Sequence, residues 1–131
     1  MKIPDIVKPL ISQDQVILVA TSDKAGNPHL AAAKGLLLLG EDRVAFENWF
    51  CFQTLRNISE NPRISISLMG HGSERGFQLI GTVEKSVPTA MMDGFTPEDE
   101  KKRAPFPQTE YQLQITVEKV FELSTGPHSD E

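Results

Sequence analysis

The chain has one cysteine, Cys51, in 131 residues. That excludes an intrachain disulfide and any metal site built on a cysteine cluster. Three histidines are present, far apart, and none forms a His/Glu pair at helical spacing, so no metal site is expected. No stretch approaches the roughly 20 apolar residues of a membrane-spanning helix. No glycine-rich loop matches a dinucleotide fingerprint or a P-loop, and no Ser/His/Asp arrangement stands out. Basic residues are outnumbered, 13 Lys+Arg against 18 Asp+Glu, for a net charge of −5. That balance argues against a nucleic-acid backbone as partner and against an anionic membrane surface. The opening MKIPDIVKPLIS places acid and proline where a signal peptide is apolar, and the chain reads as cytoplasmic.

What is present fits one domain. Hydrophobic residues make up 39% and charged residues 24%, the balance of a soluble globular chain. Ile3, Ile6, Val7, Leu10 and Ile11 recur at helical spacing and predict a short amphipathic helix over 3–12, interrupted near Pro9. Val16 to Thr21 reads as a strand apolar on both faces. Asp23-Lys24-Ala25-Gly26-Asn27-Pro28 is turn chemistry. His29 to Leu39 reads as one second strand, and Gly40-Glu41-Asp42 as a tight turn into a third strand, Arg43 to Phe46. Three alanines in a strand pack poorly but let something flat approach the backbone. Arg63 to Met69 alternates Ser with apolar residues, as a half-exposed strand does. Phe77 to Glu84 follows with Gly81 as a bulge or bend, and Tyr111 to Leu123 is a long alternating final strand. Residues 87–107 are irregular, with a helix start at Thr96-Pro97. The expected fold class is mainly β: six antiparallel strands as a small barrel, with short flanking helices.

One stretch, Phe46 to Arg63, organises the rest. It leaves a strand, passes an aromatic corner, enters a short helix and ends at Asn61-Pro62 before the next strand. The first turn of a helix offers unpaired N–H groups and the positive end of the helix dipole, which suits an anion. Gln53, Thr54 and Asn57 can close around that anion, and Trp49, Phe50 and Phe52 can cover a flat ring attached to it. The plainer alternative is that Thr54 and Asn57 cap the helix and the aromatics fill the core.

The segments VILVATSDKAGNPHLAAAK, DRVAFENWFCFQTLRNISENPRISISL and GFQLIGTVE together resemble the pyridoxamine 5′-phosphate oxidase-like FMN-binding split-barrel family. The resemblance runs from about Val16 to Glu84. Its most specific piece is Thr54-Leu55-Arg56-Asn57-Ile58 followed by Glu60-Asn61-Pro62-Arg63, similar to the family's K-T-x-x-N-[LI]…NP-[RK] signature. By size the chain looks most like the minimal FMN-binding members. The resemblance implies a Greek-key-like split barrel that forms a homodimer with FMN at the interface. It implies Ala31, Ala32, Ala33, Lys34 and Gly35 against the flavin ring or ribityl chain, and Glu47, Asn48, Trp49 and Phe50 along the ring edge. Gln53 and Thr54 would hold the phosphate, Asn57 would support the corner, and Gln78 would come from the neighbouring strand or the second subunit. The implied activity is that of an oxidoreductase or electron carrier with a small-molecule or protein redox partner.

Two departures qualify this. Gln53 stands where the family usually has Lys or Arg. A neutral hydrogen bond is about half as strong as a charge-assisted one, which weakens the anion anchor. The Arg-x-His substrate motif of the oxidase is absent, so pyridoxamine phosphate oxidation is not expected. The alternative is a non-catalytic split-barrel binding or sensor protein that has lost FMN or holds another planar ligand, such as haem or a deazaflavin. Lys34 reads either as a charge beside the flavin or as a strand-end Lys reaching to water. His29 reads as a solvated strand-start residue and His71 as a loop residue. Cys51 sits near a helix N-terminus, where an exposed thiol is activated, but reads as a buried, inert thiol between Phe50 and Phe52. Residues 87–107 are a candidate lid over the flavin.

Overall fold

The computed structural model describes residues 2–13, 15–49, 51–70, 75–91 and 109–126. Among them run α1 (Lys8–Ile11), β1 (Ile17–Ser22), β2 (Pro28–Ala33), β3 (Leu36–Leu38), β4 (Arg43–Trp49), α2 (Phe52–Glu60), β5 (Arg63–Met69), β6 (Arg75–Met91) and β7 (Thr109–Ser124). All seven strands join one antiparallel sheet in the order β2-β1-β5-β6-β7-β4-β3. β2 and β3 are its two edges and do not pair, so the barrel is split. The mainly β split barrel is present, with seven strands where the sequence suggested six.

The extra strand comes from His29–Leu39. The segment breaks at Lys34-Gly35, where Gly35 takes φ +77°, a conformation open to glycine at little cost. Its first half pairs with β1, Ala33 opposite Ile17 and His29 opposite Thr21. Its second half pairs with β4, Leu36 opposite Phe46. The seam of the barrel therefore falls at the Lys34-Gly35 corner, where the chain passes from one edge of the sheet to the other.

The inner face follows from alternation. On β1, Ile17, Val19 and Thr21 are buried, while Leu18 between them is 48% exposed. The expectation that β1 is covered on both faces is thus corrected. β5 buries Ile64, Ile66 and Leu68, and β7 buries Leu113, Ile115 and Val117. Phe46 and Trp49 meet inside with ring centroids 5.0 Å apart. Each such large apolar side chain stabilises by about 1.5–3 kcal/mol on burial. Gly81 sits at a register shift of β6 against β7, and a Cβ there would collide with the Thr116 carbonyl oxygen. That is the bulge the sequence indicated.

The N-terminal helix is shorter than its periodicity suggested. The Ile3 amide donates to the Glu41 carbonyl at 2.6 Å, which ties Ile3 to the β3–β4 turn ahead of the helix. Ile3, Val7 and Ile11 still reach the core. β6 continues to Met91, so the first residues of the irregular segment are strand. The remainder of that segment, with the expected helix at Thr96 and the candidate lid, lies outside the described residues, as do His71 and Phe50. Among the described residues no helix is long and apolar enough to cross a membrane.

Candidate functional site

α2 begins where β4 ends, and its placement is set by side-chain hydrogen bonds to the β1–β2 hairpin. Asn57 Nδ2 donates to Thr21 Oγ1 at 3.1 Å. Asn61 Nδ2 donates to Ser22 Oγ at 3.0 Å. The Lys24 amide donates to Glu60 Oε2 at 3.2 Å. The hairpin that presents these partners is closed by Asp23, whose carboxylate accepts from the Ala25 and Asn27 amides and from Asn27 Nδ2, each at 2.9 Å. The Asn27 side chain, foremost among these donors, holds the Asp23 carboxyl below the usual carboxylate value.

At its other end α2 starts with Cys51 as N-cap in an extended conformation (φ −70°, ψ 109°), and the Cys51 side chain makes no capping bond. Trp49 Nε1 donates to the Cys51 carbonyl at 3.0 Å, fixing the corner. Just before it, β4 carries one residue more than β7 between Phe46 and Trp49. This bulge breaks the alternation and leaves Glu47 and Asn48 exposed while Trp49 turns inward.

The seam of the barrel and this corner enclose a cleft of about 550 Å³, lined by Val16, Ala32, Ala33, Lys34, Gly35, Asn48, Trp49 and Cys51. The volume lies within the range of small-molecule sites, about 300–1,000 Å³. Its walls are small and apolar on the β2 side, and Lys34 is the charged side chain among the lining residues. Of the three alanines that pack poorly as strand residues, Ala32 and Ala33 line this space, whereas Ala31, expected beside them, is buried in the core because alternation turns it inward.

Six of the residues singled out in the sequence meet here: Ala32, Ala33, Lys34, Gly35, Asn48 and Trp49. Glu47 is exposed on the β4 bulge and does not line the cleft. Trp49 lines the cleft and is also a core residue against Phe46. Gln53, Thr54 and Asn57 lie on α2 and are not among the lining residues. Gln53 Nε2 donates to Asn57 Oδ1 at 2.9 Å, so its amide continues the link to Thr21. Thr54 is fully buried, and its Oγ1 meets no hydrogen-bond partner. A buried, unpaired hydroxyl costs about 1–3 kcal/mol, so this orphan in the first turn of α2 fits an acceptor supplied from outside, such as a phosphate oxygen.

Gln78 is elsewhere. The row Ala32–Leu18–Ser67–Gln78 crosses three strand intervals on the outer face, about 14 Å at ordinary strand spacing. Its Nε2 donates to Ser65 Oγ at 2.7 Å. Within one chain it does not join the cleft.

Val16 and Cys51 were missed. Val16 was legible in principle, because the β1–β2 turn sets Ile17 opposite Ala33 and so carries Val16 towards Lys34. Cys51 had a signal too, three residues before Thr54, but its aromatic neighbours suggested a core thiol. It is half-buried on the cleft wall. His29, read as a solvated residue, is half-buried with Nε2 at 3.5 Å from Cys51 Sγ. Among the described residues no three His, Cys, Asp or Glu side chains gather as a metal site.

The architecture is thus a split antiparallel barrel with a cleft at its seam. Residues 3–123 match the pyridoxamine 5′-phosphate oxidase family, and the chain belongs to that family. An uncharacterised protein of Methanocaldococcus jannaschii is 25% identical over 125 residues, which cover 94% of this chain and 81% of that protein. Among solved structures, an F420 reductase superimposes with a TM-score of 0.67 at 19% identity, over 90% of this chain and 98% of its own. An FMN-binding protein of Syntrophomonas wolfei superimposes with a TM-score of 0.65 at 14% identity, over 92% of this chain and 86% of its own. At these identities the structural likeness establishes the fold.

Proposed function

We propose that the chain is an FMN-binding flavoprotein, an oxidoreductase or electron carrier whose reaction is not pyridoxamine phosphate oxidation. The observation that carries this is the orphaned Thr54 hydroxyl in the first turn of α2, the helix whose N-cap, Cys51, lines a cleft walled by Ala32, Ala33 and Trp49. The phosphate would take the Thr54 hydroxyl and the helix N-terminus. The ring would lie against the alanines of β2, close to backbone. Lys34 would set positive charge beside it, and Asn57 would hold the corner in register. The flavin supplies the electron chemistry; the chain binds it, orients it and sets the charge around it.

The reading includes a homodimer. Leu30 is 64% exposed and Val16 60% exposed; Leu18 stands directly opposite Ala32 on the same outer face. This apolar patch runs into the cleft through Val16 and Ala32, so a second copy seated on it would cover the ligand, and its Gln78 could then approach from the partner's side.

A second reading is favoured by Gln53, which brings no charge to the anion end and is engaged with Asn57: the same cleft holds a different planar ligand, a deazaflavin or haem. The visible spectrum of the purified protein, followed by titration of the stripped protein with each ligand, tests the two. Saturable FMN binding supports the first. Binding of a deazaflavin or haem with none of FMN supports the second.

A further inference from the structure

His29 and Cys51 are 22 residues apart in sequence, and Cys51 Sγ lies 3.5 Å from His29 Nε2. Distant segments bring them there. His29 is the second residue of β2 and stands opposite Thr21. That register puts it on the inner face of the sheet, beneath the N-terminus of α2. Cys51 is held by the Trp49 indole at its carbonyl, while its thiol takes no part in capping the helix. The residue packs against the core, its sulfur is held beside the imidazole and not by a capping bond, and it forms part of the cleft wall.

A thiol on a residue of a cleft wall, paired with an imidazole beside it, has a definite chemistry. The thiolate is the nucleophile, and a base within hydrogen-bond reach generates it. With the ring proton on Nδ1, Nε2 is free to take the thiol proton. Any negative charge formed on sulfur lies at the positive end of the α2 dipole.

We propose that Cys51 and His29 form a thiol-modification site that reacts with small disulfides entering the cleft. His29 Nε2 takes the Sγ proton and Sγ attacks one sulfur of the disulfide. The Cys51–sulfur bond forms as the disulfide bond breaks. The leaving thiolate recovers the proton from His29 and departs as a thiol. Cys51 is oxidised to a mixed disulfide, and the departing half of the small disulfide is reduced. Because the chain has one cysteine, no second thiol of the same chain resolves the adduct, which persists until an external thiol removes it. Cys51 shares the cleft wall with Ala32, Lys34 and Asn48, so an adduct on it would obstruct the cleft to other ligands; this consequence rests on the flavin reading.

The test uses the full chain, stripped of any flavin, with 5,5′-dithiobis(2-nitrobenzoate) and then glutathione disulfide as probes, followed by released thiol and intact mass. One equivalent is expected per chain, about tenfold faster than with the urea-unfolded chain. His29→Gln should slow the reaction at least tenfold, and added imidazole should restore the rate in His29→Ala. An unreactive folded thiol, an undiminished rate in His29→Gln, or no rescue by imidazole in a folded His29→Ala would each overturn the proposal. FMN titration of the modified chain separates the two readings. A chain that is modified as described but binds no FMN before modification overturns the flavin reading and leaves the thiol site standing. Equal FMN binding before and after modification overturns the occlusion.

Discussion

Asn57 donates from Nδ2 to the Thr21 hydroxyl across 3.1 Å, and it accepts from Gln53 Nε2 at 2.9 Å. One buried amide therefore joins the first turn of α2 to the end of β1. Asn57→Ala leaves the buried Thr21 hydroxyl without this donor, and unfolding free energy should fall by about 1–3 kcal/mol. Urea denaturation of the purified variant measures it. A change below a few tenths of a kcal/mol would mean that the corner is held by packing alone.

Thr54→Val separates stability from binding. The substitution keeps the shape and removes a buried hydroxyl that has no partner. Relieving that group should leave the flavin-free protein as stable as wild type, or more stable by up to about 1 kcal/mol. FMN affinity should fall at the same time. Loss of both stability and affinity would show that the hydroxyl is used within the protein.

Leu30→Glu tests the apolar outer face. Because Leu30 is exposed in the single chain, the variant should retain its secondary structure by circular dichroism. It should run at the monomer mass in size-exclusion chromatography with light scattering, and wild type is predicted to run at twice that mass. A wild-type monomer would contradict the dimer.

The β1–β2 hairpin carries a pH signature. The Asp23 carboxyl is held below its ordinary value of 3.8, first by the Asn27 side chain. Its contribution to stability is present above that value and is lost as pH falls through the lower folded one. Asp23→Ala should therefore lower the urea midpoint at neutral pH, and the gap to wild type should close on acidification. A gap that stays constant from pH 7 down to about pH 2 would remove Asp23 from the account.

Much of this fold was legible because its signals are local. The alternation of β5 and β7, the turn at Asp23–Pro28 and the Asn61-Pro62 stop of α2 each depend on neighbouring residues. The break at Lys34-Gly35 was not legible, because a single glycine in an apolar run permits a positive φ without requiring it. Only the separate pairing of the two halves, with β1 and with β4, shows that it is used. β1 looked buried on both faces because composition does not distinguish an apolar core face from an apolar outer face. In the site, the small residues of β2 and the polar residues of α2 could be read from their types. The Cys51–His29 approach could not, since it depends on how β2 lies beneath α2.

The central claim is tested most directly by titrating FMN into the stripped protein and following flavin fluorescence, with Gln53→Lys and Thr54→Val beside wild type. The account predicts saturable quenching at one flavin per chain. Binding should be weaker in Thr54→Val and about tenfold tighter in Gln53→Lys, where a charge-assisted bond replaces a neutral one. No saturable quenching by folded wild type would contradict the account, and binding by Gln53→Lys alone would mark a barrel that has kept the fold and exchanged FMN for another ligand.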